Sequence, residues 1–279
     1  MTLNIRRRPV AAVRRRDQSA VSAQSTATDT GSTTWLRRYH PGGRSRARLV
    51  CFPHAGGSAS FFHPVSARFA PGTDVVAVQY PGRQDRRREP CLDDISVLAD
   101  RIAAALAPLP PGPTVFFGHS MGAVLAFETA WRLERTGAGP DAVVASGRRA
   151  PATHRAEAVH RLDDDGVLAE LRLLNGTASA VLADEEILRM ALPAIRGDYR
   201  AVETYTCAPD RRISAPITVV TGDSDPKTTE DEAGAWQGHT TGAFAMHVFA
   251  GGHFFLIEHQ AAVDAVIAAE LDRVAGDRT

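Results

Sequence analysis

The chain has 279 residues, three cysteines and a formal net charge of zero. A chain of this length can bury one large core, and the zero net charge excludes the global basic field with which nucleic-acid-binding proteins attract phosphates. The apolar runs fall short of the roughly 18 residues that a membrane-spanning helix needs. Cys51, Cys91 and Cys207 lie far apart and outside any zinc-ligand spacing, so we expect no disulfide framework, no metal site and a reducing, cytoplasmic setting. Neither nucleic acid nor a membrane is an expected partner.

The first 34 residues differ in composition from the rest. Arginine triplets at Arg6–Arg8 and Arg14–Arg16 precede a Ser/Thr/Ala/Gln tract that ends at Thr34, and such a composition buries little apolar surface. The paired arginines resemble an export signal, but the apolar segment that such a signal requires does not follow. We therefore expect either a disordered basic tail over 1–34 or a start codon placed too far upstream, and one catalytic domain over 35–279.

Short apolar runs bounded by Gly or Pro alternate with helical patterns from residue 46 onward, as is typical of parallel strands buried on both faces. The predicted strands are Arg48–Phe52, Val75–Val78, Thr114–Phe117, Ala142–Ser146, Ile217–Thr221 and Ala245–Phe249. The predicted helices are Ile95–Ala107, Ala123–Glu134 and a last one that carries an apolar stripe from Val263 to Val274. This alternation predicts an α/β fold with a mostly parallel, doubly wound sheet.

The stretch from about 150 to 208 interrupts the alternation. It contains two helical patterns, near Asp164–Leu174 and Asp184–Tyr205, before the next strand begins at Ile217. An insertion above the carboxyl ends of the strands would form a helical lid over a substrate crevice. We favour a lid over the alternative that these helices only pack on the core.

The motif Gly118-His119-Ser120-Met121-Gly122 lies between a predicted buried strand and a predicted helix. A nucleophile elbow needs small residues around its serine, because the backbone turns so sharply there that larger side chains would collide. In this setting an ordinary Gly/Ser turn is the weaker interpretation. We predict Ser120 as the nucleophile.

A serine nucleophile needs a histidine base and an acid that orients this base. His253 follows the last predicted strand and is flanked by two glycines, whereas the other downstream histidines fall in a strand, a helix or a polar loop: His247, His259 and His239. Asp223 and Asp225 both follow the preceding strand. We predict His253 as base and Asp225 as acid, with Asp223 bonding the loop backbone.

Two amides are candidates for the oxyanion hole. One belongs to Met121, the residue after the nucleophile; the other belongs to Ala55, in the Gly-rich segment that follows an early strand. A phosphate-binding loop is the rival interpretation of that segment, but the pattern GxxxxGK[ST] is absent.

The segment QYPGR at Gln79–Arg83 contains a Pro-Gly pair that predicts a turn directly after a strand, so that Arg83 emerges near the carboxyl edge of the sheet. With Arg86, Arg87 and Arg88 it could bind an acidic or phosphorylated partner. A solvated run of charge is an equally good interpretation, so these arginines are not assigned to the site.

Five motifs in this order resemble the type II thioesterases of polyketide synthases and nonribosomal peptide synthetases, over about Trp35 to Val274. They are FPHAGG at Phe52–Gly57, QYPGR at Gln79–Arg83, GHSMGA at Gly118–Ala123, GDSDP at Gly222–Pro226 and GGHFFL at Gly251–Leu256. The resemblance implies an α/β-hydrolase fold and hydrolysis of acyl groups from the phosphopantetheine thiol of acyl or peptidyl carrier proteins. This activity would edit stalled assembly lines in antibiotic biosynthesis.

The mechanism that these residues imply needs no cofactor, and we expect a monomer. The nearest rivals are a chain-terminating thioesterase or a carboxylesterase of the same fold. A rival of another class is a catalytically idle member that binds acyl chains or a protein; the loss of a triad residue would have indicated it.

Overall fold

A computed structural model describes residues 34–41, 45–70, 72–175 and 185–276. Apart from its last residue, the predicted tail over 1–34 lies outside the described residues. Within the described residues, seven strands form one sheet in the order β1-β3-β2-β4-β5-β6-β7. The strands are β1 Leu36–Arg37, β2 Ala47–Phe52, β3 Thr73–Val78, β4 Thr114–His119, β5 Ala142–Ser146, β6 Ile217–Gly222 and β7 Phe244–Phe249.

The six predicted strands are confirmed, each within two residues of its predicted bounds, and they pair in parallel. The short β1 was not predicted; it adds to the edge of the sheet antiparallel to β3. The helices are α1 His63–Phe69, α2 Ile95–Leu106, α3 Met121–Glu134, α4 Asp164–Asn175, α5 Glu185–Thr204, α6 Glu230–Gly234, α7 Phe255–Glu258 and α8 Gln260–Gly276.

Helices cover both faces of the sheet, because alternate side chains of a strand point to opposite faces. In β2, Val50 and Phe52 pack in the cluster that contains α2 and α3, whereas Leu49 and Cys51 pack in the cluster that contains α8. All four side chains are fully buried. The sheet is therefore the central layer of a doubly wound fold, and the carboxyl ends of its parallel strands share one edge.

The inserted segment forms a third, smaller core. Val167 and Leu171 of α4 pack against Leu192 and Ile195 of α5, separately from the clusters on the sheet. The last turns of α5 join the main core through Val202. Helix α5 thus spans two layers and connects the inserted segment to the sheet.

None of the helices within the described ranges is long and apolar enough to cross a membrane.

Candidate active site

The turn at Ser120 has the geometry of a nucleophile elbow. Ser120 adopts φ 55° and ψ −119° between β4 and α3, a strained backbone for a residue with a side chain. A Cβ atom on Gly122 would lie 2.0 Å from the Phe52 carbonyl oxygen, and one on Gly118 would lie 2.1 Å from the Gly122 carbonyl oxygen. Both glycines of the motif are thus required by close backbone contacts, which hold Ser120 at the carboxyl edge of the sheet.

The structure joins the three predicted triad side chains in one hydrogen-bonded chain. Nε2 of His253 lies 3.0 Å from Oγ of Ser120, and Nδ1 lies 2.9 and 3.0 Å from the two carboxylate oxygens of Asp225. His253 and Asp225 are both buried. With Nδ1 protonated and donating to the carboxylate, Nε2 is free to accept the serine proton.

Asp223 plays a different part from its neighbour. Its carboxylate is exposed and accepts hydrogen bonds from the Gly251 amide at 3.0 Å and the Ser224 hydroxyl at 2.8 Å. These bonds, that of the amide first, lower the pKa of Asp223. Asp223 therefore bonds the backbone of the loop that leads to His253, as predicted, while Asp225 contacts the imidazole.

The loop after β2 contains the predicted oxyanion donor, the Ala55 amide. The Gly56 amide donates to Asp198 at 2.7 Å, and the Gly57 amide donates to the His54 carbonyl at 2.9 Å. Among the described residues, the Ala55 amide has no hydrogen-bond acceptor. Met121 is the first residue of α3, so its amide has no acceptor inside the helix. The two predicted donors thus have their amides uncommitted.

Arg83 is buried, and neither interpretation made from the sequence holds for it. Its guanidinium forms a two-pronged pair with Asp198 of α5, with nitrogen-to-oxygen distances of 2.6 and 2.9 Å. It also donates to the Gly57 carbonyl at 3.1 Å. Burial disfavours the charge, but attraction to Asp198 outweighs it and raises the pKa of Arg83. The QYPGR motif therefore serves the interior of the site rather than a partner.

Asp198 is the functional candidate that the sequence did not reveal. It lies 115 positions from Arg83 in the chain, on the buried face of an amphipathic helix. One buried carboxylate in such a helix carries no local signal of its partner.

Two further histidines surround the predicted base. The rings of His119 and His253 have centroids 5.0 Å apart, and the His54 ring lies 6.0 Å from that of His119. Burial, followed by repulsion from His253, lowers the pKa of His54 to about 3 and that of His119 well below its usual value. Both imidazoles are neutral at pH 7, so they add bulk near His253 without adding charge.

Within the described part of the chain, no group of three or more His, Cys, Asp or Glu side chains is placed to hold a metal ion.

Comparison with known proteins assigns the family. A family model described as "Thioesterase domain" matches residues 47–271. The chain belongs to the thioesterase family. It is 64% identical over 264 residues to a Streptomyces griseus protein named "Probable cadicidin biosynthesis thioesterase", a match that covers 94% of this chain and 73% of that protein. It is 48% identical over 227 residues to thioesterase PikA5 of Streptomyces venezuelae, over 81% of each chain.

The thioesterase also resembles a solved structure, that of the type II thioesterase BorB from the borrelidin biosynthetic cluster. The two share 50% sequence identity and a TM-score of 0.82, over 88% of this chain and all of that one. The α/β-hydrolase fold and the resemblance to type II thioesterases, both predicted from the sequence, are thereby confirmed.

Proposed function

We propose that this thioesterase releases acyl groups from the phosphopantetheine thiol of acyl or peptidyl carrier proteins, with Ser120 as nucleophile. The observation that carries the proposal is the hydrogen-bonded chain from Ser120 through His253 to Asp225. The names of its relatives support a biosynthetic role, since they refer to cadicidin biosynthesis and to the borrelidin biosynthetic cluster. The carrier-bound substrate is what the resemblance to type II thioesterases implies.

Acylation begins when Nε2 of His253 takes the proton of the Ser120 hydroxyl as its oxygen attacks the thioester carbonyl carbon. The carbonyl oxygen becomes an oxyanion, to which the amides of Met121 and Ala55 donate. Collapse of this intermediate breaks the carbon–sulfur bond, and His253 returns the proton to the departing thiolate. Asp225 stabilises the imidazolium that exists between the two transfers.

Deacylation repeats the sequence with water. His253 takes a proton from water as the water oxygen attacks the acyl-Ser120 carbonyl carbon, and the serine oxygen leaves with that proton. The products are the free acid and the regenerated hydroxyl. Because these residues supply every proton transfer and the oxyanion donors, the proposed reaction needs no metal or organic cofactor.

We propose that the segment from about 150 to 208 acts as the lid of this site. Its helices have a core of their own, and α5 reaches the loop after β2 through Asp198. We further propose that the enzyme acts as a monomer in the cytoplasm, where carrier proteins of assembly lines reside.

The deciding experiment loads a purified carrier protein with a short acyl group and measures its release. We expect rapid release by the wild type and a loss of more than about 10³-fold in Ser120→Ala. Ser96→Ala, at an exposed serine of α2, is the matched control and should keep full activity. Equal release by Ser120→Ala and the wild type would rule out Ser120 as nucleophile.

The same preparation separates this function from its rivals. A carboxylesterase would hydrolyse a simple acyl ester faster than the carrier-bound thioester, and a chain-terminating enzyme would convert a long linear chain into a macrocycle. We expect free acid from the carrier-bound thioester as the main product.

A further inference from the structure

The pair formed by Arg83 and Asp198 connects the inserted segment to the proposed oxyanion loop. Asp198 belongs to α5, whereas Gly56 and Gly57 belong to the loop after β2. One carboxylate oxygen of Asp198 accepts from both the Gly56 amide, at 2.7 Å, and Arg83, at 2.6 Å. Arg83 donates in turn to the Gly57 carbonyl. The ion pair therefore binds the loop at two points, the Gly56 amide and the Gly57 carbonyl.

An apolar side chain of α5, that of Ile195, also packs closely against the loop. Gly56 has φ +75°, and a Cβ atom at this position would lie 2.8 Å from Cγ1 of Ile195. Ile195 and Asp198 are one turn apart on α5, so they present one face to the loop. Only glycine fits between the loop and this face.

Gln79 links the backbone of Arg83 to the chain that follows the loop. Its side-chain nitrogen donates to the Arg83 carbonyl at 3.3 Å, and its side-chain oxygen accepts from the Ala59 amide at 2.9 Å. Gln79 is fully buried. The backbone that carries Arg83 is thus bonded, through Gln79, to the chain just beyond the loop.

We infer that Asp198 and Arg83 are positioning residues that hold the Ala55 amide toward the reacting carbonyl, so that the oxyanion hole is complete only while α5 lies on the loop. This inference rests on the proposed function, because it assumes the role of the Ala55 amide. The Gly56 and Gly57 amides are bonded elsewhere, and the neighbouring Ala55 amide, which has no acceptor among the described residues, supplies the loop's donor to the oxyanion. A displacement of α5 removes the acceptor of Gly56 and releases the loop, so closure of the inserted segment and activation of the site are one event.

Single charge removals would mix two effects, since an uncompensated buried charge destabilises the fold. The double variant Arg83→Met/Asp198→Leu avoids this problem. It removes both charges together, and such replacements are often neutral or stabilising for buried pairs. It also leaves the Gly56 amide without its acceptor and the loop without its clamp.

The test measures kcat and KM for release of a short acyl group from a carrier protein, together with inhibition by an alkyl boronic acid. Boronic acids form a tetrahedral adduct with a serine oxygen and direct a boron-bound oxygen to the oxyanion hole. We expect the double variant to melt near the wild type, to keep its KM within about threefold, and to lose about 10²-fold to 10³-fold in kcat, as for the loss of one oxyanion donor. Its boronate affinity should fall by a similar factor.

Arg196→Met is the matched control on the same helix. Arg196 binds Asp164 at 2.8 Å and the His160 carbonyl at 2.9 Å, so these contacts lie within the inserted segment and not on the loop after β2. We expect its kcat and boronate affinity to remain near those of the wild type.

A folded double variant with wild-type kcat and wild-type boronate affinity would overturn the positioning role. So would an equal loss in Arg196→Met, because any weakening of the segment would then have the same effect. The boronate comparison does not depend on the natural substrate. If the wild type bound boronate through Ser120 but released nothing from carrier proteins, the proposed function would fail while the positioning role was still decided.

Discussion

The two sides of the proposed site are held by different forces. On the nucleophile side, Ser120 is fixed by backbone contacts of the buried sheet, among them the approach of Gly122 to the Phe52 carbonyl. On the opposite side, the loop with Ala55 is fixed by an ion pair whose acid comes from the inserted segment. The backbone contacts around Ser120 can be broken only by unfolding the core. The contacts of the Ala55 loop depend instead on the position of helix α5.

The largest effect is expected on the nucleophile side, from Asp225→Asn. An amide in place of the carboxylate favours the wrong tautomer of His253 and no longer stabilises its charged form, so kcat should fall about 10⁴-fold. Asp223→Asn, two positions earlier in the same loop, is the matched control and should lose little. Carrier-release kinetics check both; a larger loss in Asp223→Asn would reassign the acid.

The next largest effect is expected from a substitution that disrupts the close backbone contact beside Ser120. Gly122→Ala places a methyl group 2.0 Å from the Phe52 carbonyl oxygen, and we expect it to lower the free energy of unfolding by about 3 kcal/mol. Gly234→Ala is the control, because a Cβ atom there meets no atom within 4 Å. Urea denaturation compares the two. Equal stability of both variants would mean that the elbow can move aside.

These two sides also differ in how far the sequence predicts them. Ser120, His253 and Asp225 follow predicted strands directly, and parallel strands bring their carboxyl ends to one edge, so chain order was enough to place them together. The pairing of Arg83 with Asp198 joins a strand-end turn to the middle of a helix 115 positions away. Periodicity gives the face of a helix but not which residue lies opposite it, so the sequence alone does not predict this ion pair. The edge strand β1 was missed for a similar reason, because two residues are too few to show alternation.

A pH-dependent loss of stability is expected where the two sides meet, at His54 and His119. Their folded pKa values lie below the unfolded value of about 6.5, so the unfolded state binds more protons at acidic pH. Stability from these groups is present above about pH 6.5 and is lost as the pH falls. We expect a slope of up to about 1.4 kcal/mol per pH unit for each neutral histidine.

His54→Phe should make this slope shallower between about pH 6.5 and 5, because phenylalanine cannot be protonated. His247→Gln, at an exposed position of β7, should keep the wild-type slope. Denaturant unfolding at several pH values measures both. Parallel curves for His54→Phe and the wild type would show that His54 does not contribute.

The smallest effect is expected from Thr229→Ala, which tests whether the inserted segment also influences the loop that carries Asp225. Thr229 caps α6 just after that loop; its hydroxyl accepts from the Glu232 amide at 3.3 Å, and the Glu232 carboxylate accepts from the Thr229 amide at 2.9 Å. Glu232 also binds Arg155 of the inserted segment, at 2.6 Å. Thr229→Ala should cost about 1 kcal/mol of stability, and Thr229→Ser should restore most of it.

The kinetics of Thr229→Ala then decide how independent the two sides are. The Asp225 carboxylate bonds His253 and the Lys227 amide, at 2.8 Å from the latter, and neither bond involves the cap. We therefore expect kcat to stay within about twofold of the wild type. A drop of 10-fold or more in a folded Thr229→Ala protein would mean that the inserted segment acts on the acid through Arg155 and Glu232. The nucleophile side would then depend on the position of that segment as the oxyanion loop does.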